Sequence, residues 1–227
     1  MKFKKLATSL AIAASVVGFS GAASAAAVGS IPGGSASNDY LNAIGSGPVE
    51  GWFNANLYLS GGPANLSVKY FGAEAGFTNT FTFDTCSFTN SSSNTILPGG
   101  AQVGSTCNLA NVGSGLLNFY YAGLGGAPNL VNGLNTGDIT KAIPNFFVTF
   151  GDAFDTAVNG ITASSGQVAW LFLDDGGASG DDNHDDLVIR LAIEGGRFNV
   201  PEPGSLALLG LGLAGLAAAA RRQQKQA

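Results

Sequence analysis

Histidine and methionine each occur once in the 227 residues, and cysteine occurs twice. One histidine and two cysteines leave little room for a zinc site or a catalytic triad. Charged residues make up only 11% of the chain. The formal net charge of -5 and a pI near 4.6 exclude the basic face that a nucleic-acid partner requires. The chain has no G-x-S-x-G nucleophile elbow, no H-E-x-x-H and no P-loop. Glycine, by contrast, is abundant: its 34 residues are about twice the ~7% share of an ordinary protein. An apolar content of 45% is too high for a disordered acidic chain.

The first residues carry Lys2, Lys4 and Lys5. An uncharged run from Leu6 to Phe19 follows, and then the small-residue stretch Gly21-Ala22-Ala23-Ser24-Ala25. A basic start, a short apolar run and an A-x-A site define a secretory signal peptide. Residues 1–25 are therefore expected to be removed by signal peptidase, with Ala23 and Ala25 flanking Ser24 at the cleavage site. The apolar run of 14 residues is shorter than the ~20 that a membrane-spanning helix needs.

Near the other end, Val200-Pro201-Glu202-Pro203 precedes 17 uncharged residues, Gly204 to Ala220, and then Arg221 and Arg222. As a helix the uncharged run would reach about 25 Å, enough for a short membrane span. Arginines just past such a span stay cytoplasmic, so the body before it would lie outside. This is the orientation the signal peptide demands. Two prolines in three residues keep Val200 to Pro203 extended.

The order Pro-Glu-Pro, apolar span and terminal arginines resembles the PEP-CTERM sorting signal of exported bacterial proteins. The same tail is also catalogued as an ice-binding protein C-terminal domain, although the body has no regular Thr-x-Thr array. The resemblance covers Val200 to about Arg222, and residues 201–227 are assigned to the sorting signal. It implies that Pro201, Glu202 and Pro203 are the recognition residues, that Arg221 and Arg222 are the cytoplasmic stop, and that an exosortase-type transpeptidase is the processing partner. It further implies transient anchoring in the membrane, release to the cell surface or matrix, and a setting of extracellular polysaccharide.

Between these ends lies a body with four basic and fourteen acidic residues from Ala26 to Val200. Such a domain repels polyanions and attracts divalent cations. Residues 26–47 are rich in Gly, Ser and Asn and read as a flexible arm. From 48 to 200 the chain reads as strands. Phe77, Phe81 and Phe83 alternate with threonines, and Phe146, Val148 and Phe150 share one parity. Val168 to Leu173 is apolar on both parities, which predicts a central strand covered on both faces. The expectation is an all-β fold, a single β-sandwich or jelly-roll-like domain of about eight strands.

Cys86 and Cys107 both belong to the exported part, where oxidising surroundings favour a disulfide closing a loop of 22 residues. The most unusual segment runs from Asp174 to Asp186, with six aspartates in 13 residues. Asp181, Asn183 and Asp185 stand at the 1, 3, 5 spacing of a calcium loop. Asp186 and Ala192 occupy the places where an EF-hand has its glycine and its glutamate. Asp174, Asp175, Asp181, Asn183, Asp185 and Asp186 are thus candidate calcium ligands, or else strand-end residues capping local backbone N–H groups.

Three functions follow as expectations. The first is a structural or adhesive matrix protein, without enzyme activity and associated with exopolysaccharide. The second is a calcium-dependent carbohydrate-binding module using Trp52, Trp170, Tyr120 or Tyr121 as stacking platforms. The third and least favoured is a glycoside hydrolase with a carboxylate pair drawn from Asp152, Asp155, Asp174 and Asp175.

Overall fold

A strand whose two faces are both apolar must be covered twice, and the fold is arranged around two such strands. In the computed structural model, described for residues 27–33, 35–43, 48–90, 104–134, 144–151, 164–176, 182–201 and 215, these are β11 (Asn145–Phe150) and β13 (Val168–Asp174). Every residue of both is buried. They pair with each other antiparallel and sit inside a seven-stranded sheet.

The remaining strands of that sheet are β1 (Ala27–Ile31), β2 (Val49–Phe53), β4 (Ala64–Gly72), β7 (Thr106–Val112) and β14 (Leu187–Glu194). The order is β1-β2-β11-β13-β14-β4-β7. Two four-stranded sheets complete the described residues. One comprises β5 (Thr80–Phe83), β6 (Cys86–Thr89), β9 (Phe119–Ala122) and β10 (Leu130–Val131), in the order β10-β9-β5-β6. The other comprises β3 (Tyr58–Ser60), β8 (Gly115–Leu116), β12 (Ser165–Gly166) and β15 (Arg197–Asn199), in the order β12-β15-β3-β8.

Parity assigns each side chain to one of two cores. Phe146, Val148, Ala169, Leu171 and Leu173 face one way and pack with Phe81, Phe119 and Tyr121 of the first small sheet and Leu59 and Phe198 of the second. Phe147, Val168, Trp170 and Phe172 face the other way and form a second core with Ile31, Tyr40, Leu41, Val49, Phe53 and Val188. The double-sided reading of Val168 to Leu173 is therefore correct, and the all-β expectation holds. The number of strands differs: the described residues form fifteen, not about eight, because many are only two to four residues long. Such short strands carry too little periodicity to be read from sequence.

The larger correction concerns the segment expected to be a flexible arm, residues 26–47. Its described residues, 27–33 and 35–43, are built into the fold. Ala27–Ile31 is the edge strand of the large sheet, in register with β2 from Ala27↔Phe53 to Ile31↔Val49. Asp39–Ala43 forms one short helix, α1, whose Tyr40 and Leu41 are buried. The Gly/Ser/Asn composition obscures three large apolar residues, Ile31, Tyr40 and Leu41, which cover the face of the sheet that the small sheets leave open. Glycine is needed here for close approach. A Cβ on Gly51 would sit 2.2 Å from the Val148 carbonyl oxygen, and one on Gly29 would sit 2.5 Å from the Phe53 ring.

The disulfide forms as expected, between Cys86 and Cys107. Each cysteine lies on a strand at the margin of its sheet, β6 in the small one and β7 in the large one. The bond fastens two sheet edges that share no backbone ladder. The signal peptide with Ala23 and Ala25, and the apolar span with Arg221 and Arg222, lie outside the described residues. Among the described residues no helix is long and apolar enough to cross a membrane.

Two outcomes follow from this packing. Ile31→Ala should destabilise the body by about 2–5 kcal/mol, the range for a buried large-to-small change, whereas a free arm would give no effect. Chemical denaturation of the variant measures this. Replacing both cysteines by alanine should cost roughly 3 kcal/mol by the loop-closure argument, read as a lower denaturation midpoint with a somewhat larger m-value, because the freed unfolded chain expands.

Candidate functional site

Aspartates in a strand-to-strand loop usually point to water. Here they turn inward. Asp174, at the end of β13, is fully buried, and Asp175, Asp182, Asn183, His184 and Asp185 are all buried with it. Burying carboxylates is costly unless donors meet them, and the donors come both from the segment's own backbone and from distant parts of the chain. The Asp39 backbone N–H donates to Asp185 Oδ2 at 2.9 Å. The Asp175 N–H donates to Asp186 Oδ2 at 2.7 Å, and the Gly176 N–H donates to Asp174 Oδ1 at 2.9 Å. The Asn79 side-chain amide donates to Asp175 Oδ2.

The backbone of this segment serves as acceptor in turn. Asn38 Nδ2 donates to the carbonyls of Asn183 and His184 at 2.8 and 3.2 Å. Its Oδ1 accepts from the Leu41 N–H at 2.9 Å, which caps α1. Gly33 N–H donates to the Asp182 carbonyl at 2.8 Å, and Glu74 N–H donates to the Asp185 carbonyl at 2.9 Å. Asn183 Nδ2 donates to the Ser37 carbonyl at 3.2 Å. The acidic segment therefore holds residues 33–41 in place.

His184 lies at the centre. Its backbone has φ +63°, a left-handed conformation that few side chains adopt. Its ring is fully buried and meets Phe53 and Phe147 edge-on, with centroids 5.4 and 6.2 Å away. Nε2 lies 2.8 Å from Asn145 Oδ1. Nδ1 faces Asp182 Oδ1 at 3.2 Å and Asp174 Oδ2 at 4.0 Å.

The five described candidate calcium ligands do not converge on one point. Asp174 joins Asp182 and His184, and one ligand atom from each lies within 4.8 Å of the others. Asp185 joins Asp39 and Glu74 in a second group of the same spacing. Asp175 and Asp186 pair with each other through a backbone N–H, Asn183 turns its amide to Ser37, and Asp181 lies outside the described residues. The sequence pattern misses Asn38, Asp39, Glu74, Asn79, Asn145 and Asp182 as contributors. Of these only Asn145 lies on a strand, opposite Asp174 in the register; the others stand in loops or at the start of α1. His184, by contrast, was visible as the only histidine and sits inside the acidic run. A cysteine nucleophile is excluded, since no cysteine is free.

Burial, and then the charge of Asp175, push the Asp186 carboxyl up to about 9. Burial, followed by Tyr70 and Asp185, holds the Tyr40 hydroxyl well above its ordinary value. For Asp186 the folded value lies above the unfolded one, so the folded state binds the extra proton between about 4 and 9. Its contribution to stability is full below pH 4 and is lost as pH rises through 9. With a chelator present, so that no ion supplies positive charge, wild-type stability should decline across that window. Asp186→Asn should flatten the decline, as followed by denaturation midpoints at several pH values.

The last described strand, β15, ends at Asn199, and a sharp boundary in burial follows it. Val200 is buried and donates its N–H to the Ser164 carbonyl at 2.9 Å, whereas Pro201 is exposed. Glu202 and Pro203 lie outside the described residues. Residues 199–223 match the family model of the PEP-CTERM protein-sorting motif. No curated protein matches the chain, and no solved structure does.

Proposed function

We propose that this chain, which carries a PEP-CTERM sorting motif at residues 199–223, is a structural or adhesive component of the cell surface or extracellular matrix, associated with exopolysaccharide and without enzyme activity. The motif supports export, transient membrane anchoring and processing by exosortase-type machinery. The observation that carries the reading of the body is the inward direction of its functional-looking side chains.

A hydrolase using Asp174 and Asp175 needs both carboxylates at a substrate, yet they are 0% and 7% exposed. Asp152 and Asp155 lie outside the described residues. A carbohydrate module stacking sugars on Trp52, Trp170 or Tyr121 needs their ring faces in solvent, yet they are 6%, 3% and 0% exposed. Tyr120 is only half-buried. Side chains that the alternative readings require are spent on the fold. A disulfide-fastened β body delivered outside the cell suits a load-bearing or adhesive part.

Intact mass spectrometry of the protein from its native host, fraction by fraction, tests this reading. The surface or matrix fraction should contain a chain lacking residues 1–25 and truncated near Pro203. That material should be retained by the host's own polysaccharide. Glu202→Ala should shift the protein to a membrane-bound form of higher mass. A chain that keeps residues 204–227 in the inner membrane and shows no affinity for the polysaccharide would overturn the proposal.

A further inference from the structure

The arrangement around His184 raises a question of sign that hydrogen bonding alone does not answer. Asn145 Oδ1 is an acceptor, so Nε2 of His184 carries the proton of that 2.8 Å bond. In the neutral ring Nδ1 is then a lone pair. It faces two carboxylate oxygens, Asp182 Oδ1 at 3.2 Å and Asp174 Oδ2 at 4.0 Å. All three facing atoms are buried. Three electron-rich atoms converging in a dry interior repel one another unless positive charge lies between them.

We propose that Asp174, Asp182 and His184 form a buried binding site for one divalent first-row transition ion of the zinc type. The ligand chemistry selects this class. An imidazole nitrogen suits zinc, iron or copper, whereas calcium takes six to eight oxygens. Ligand atoms about 2.0–2.1 Å from such an ion at tetrahedral angles lie about 3.4 Å apart. The pair of Nδ1 and Asp182 is at that spacing, and Asp174 must close by about half an ångström. Asn145 supplies the outer contact that metal-bound histidines make: it accepts the far ring N–H, fixing the tautomer and aiming Nδ1. A sequence with one histidine seemed to offer little room for a zinc site. The fold compensates by bringing in carboxylates from the end of β13 and from the following loop.

The ion would be structural. It would fasten Asp182 and His184 to the end of β13, and Asn145 would extend the tie to β11. The backbone of the same loop segment holds Gly33 and Asn38, so metal occupancy and the docking of residues 33–41 would be coupled.

The test uses the full chain, purified in detergent, stripped with a chelator and titrated with cobalt(II) and zinc(II). Cobalt(II) should bind at one equivalent per chain with a visible absorption band from mixed nitrogen and oxygen ligation, and zinc(II) should displace it. Zinc should raise the melting temperature by more than about 5 °C at saturating concentration. Asp182→Asn, close to the native shape, should weaken cobalt binding at least tenfold, and Asn145→Ala should weaken it about 10–100-fold. The wild-type titration stands even if His184→Gln fails to fold. No band and no thermal shift with either metal would overturn the proposal, above all if nitrogen NMR shows both ring nitrogens of His184 protonated. The same holds if calcium alone gives the thermal shift.

Discussion

Carboxylates taken out of water need something to stand in for the water they lose, and much of this molecule's architecture meets that requirement. The segment from Asp182 to Asp186 is held by polar groups from three distant stretches of chain, at Asn38 and Asp39, at Glu74 and at Asn145. None of these groups is close in sequence to the acids. The dependence runs both ways. Without the acidic loop, α1 loses the carbonyls that anchor its capping Asn38, and the cover over the second core loosens.

That second core explains why the large sheet can be apolar on both sides. The two small sheets cover one face. Among the described residues, Ile31, α1 and the inward-turned loop cover the other face, over Phe147, Trp170 and Phe172. Hydrophobic burial and polar satisfaction are therefore not separate achievements here. The apolar side chains of residues 31–41 are placed by hydrogen bonds to an acidic segment about 145 residues away in sequence.

Much of this was legible from the sequence alone. Alternating phenylalanines and the doubly apolar run Val168–Leu173 identify strands because period two and burial on both faces leave direct traces in composition. Two cysteines in an exported chain leave one possible intramolecular bond. The Pro-Glu-Pro motif is local and ordered, so it is read without a fold. What stayed hidden is non-local. Residues 26–47 look like a linker because their three large apolar residues are scattered among Gly, Ser and Asn. The grouping of Asp174 with Asp182 and His184 depends on how the loop folds back, which the 1, 3, 5 spacing of Asp181, Asn183 and Asp185 does not encode. Asn145 is unremarkable in sequence and becomes important only through its register opposite Asp174.

The boundary at Val200 and Pro201 has a consequence for the processing of the tail. The final core contact of the body is made by Val200, whose N–H is already bonded to Ser164. The sorting residues begin immediately afterwards, at the exposed Pro201. Every strand pairing of the described residues is made at or before Asn199, so a cut beyond Pro201 severs none of them. The hydrogen-bonded ladder of the body is thus written entirely upstream of the segment that carries its address.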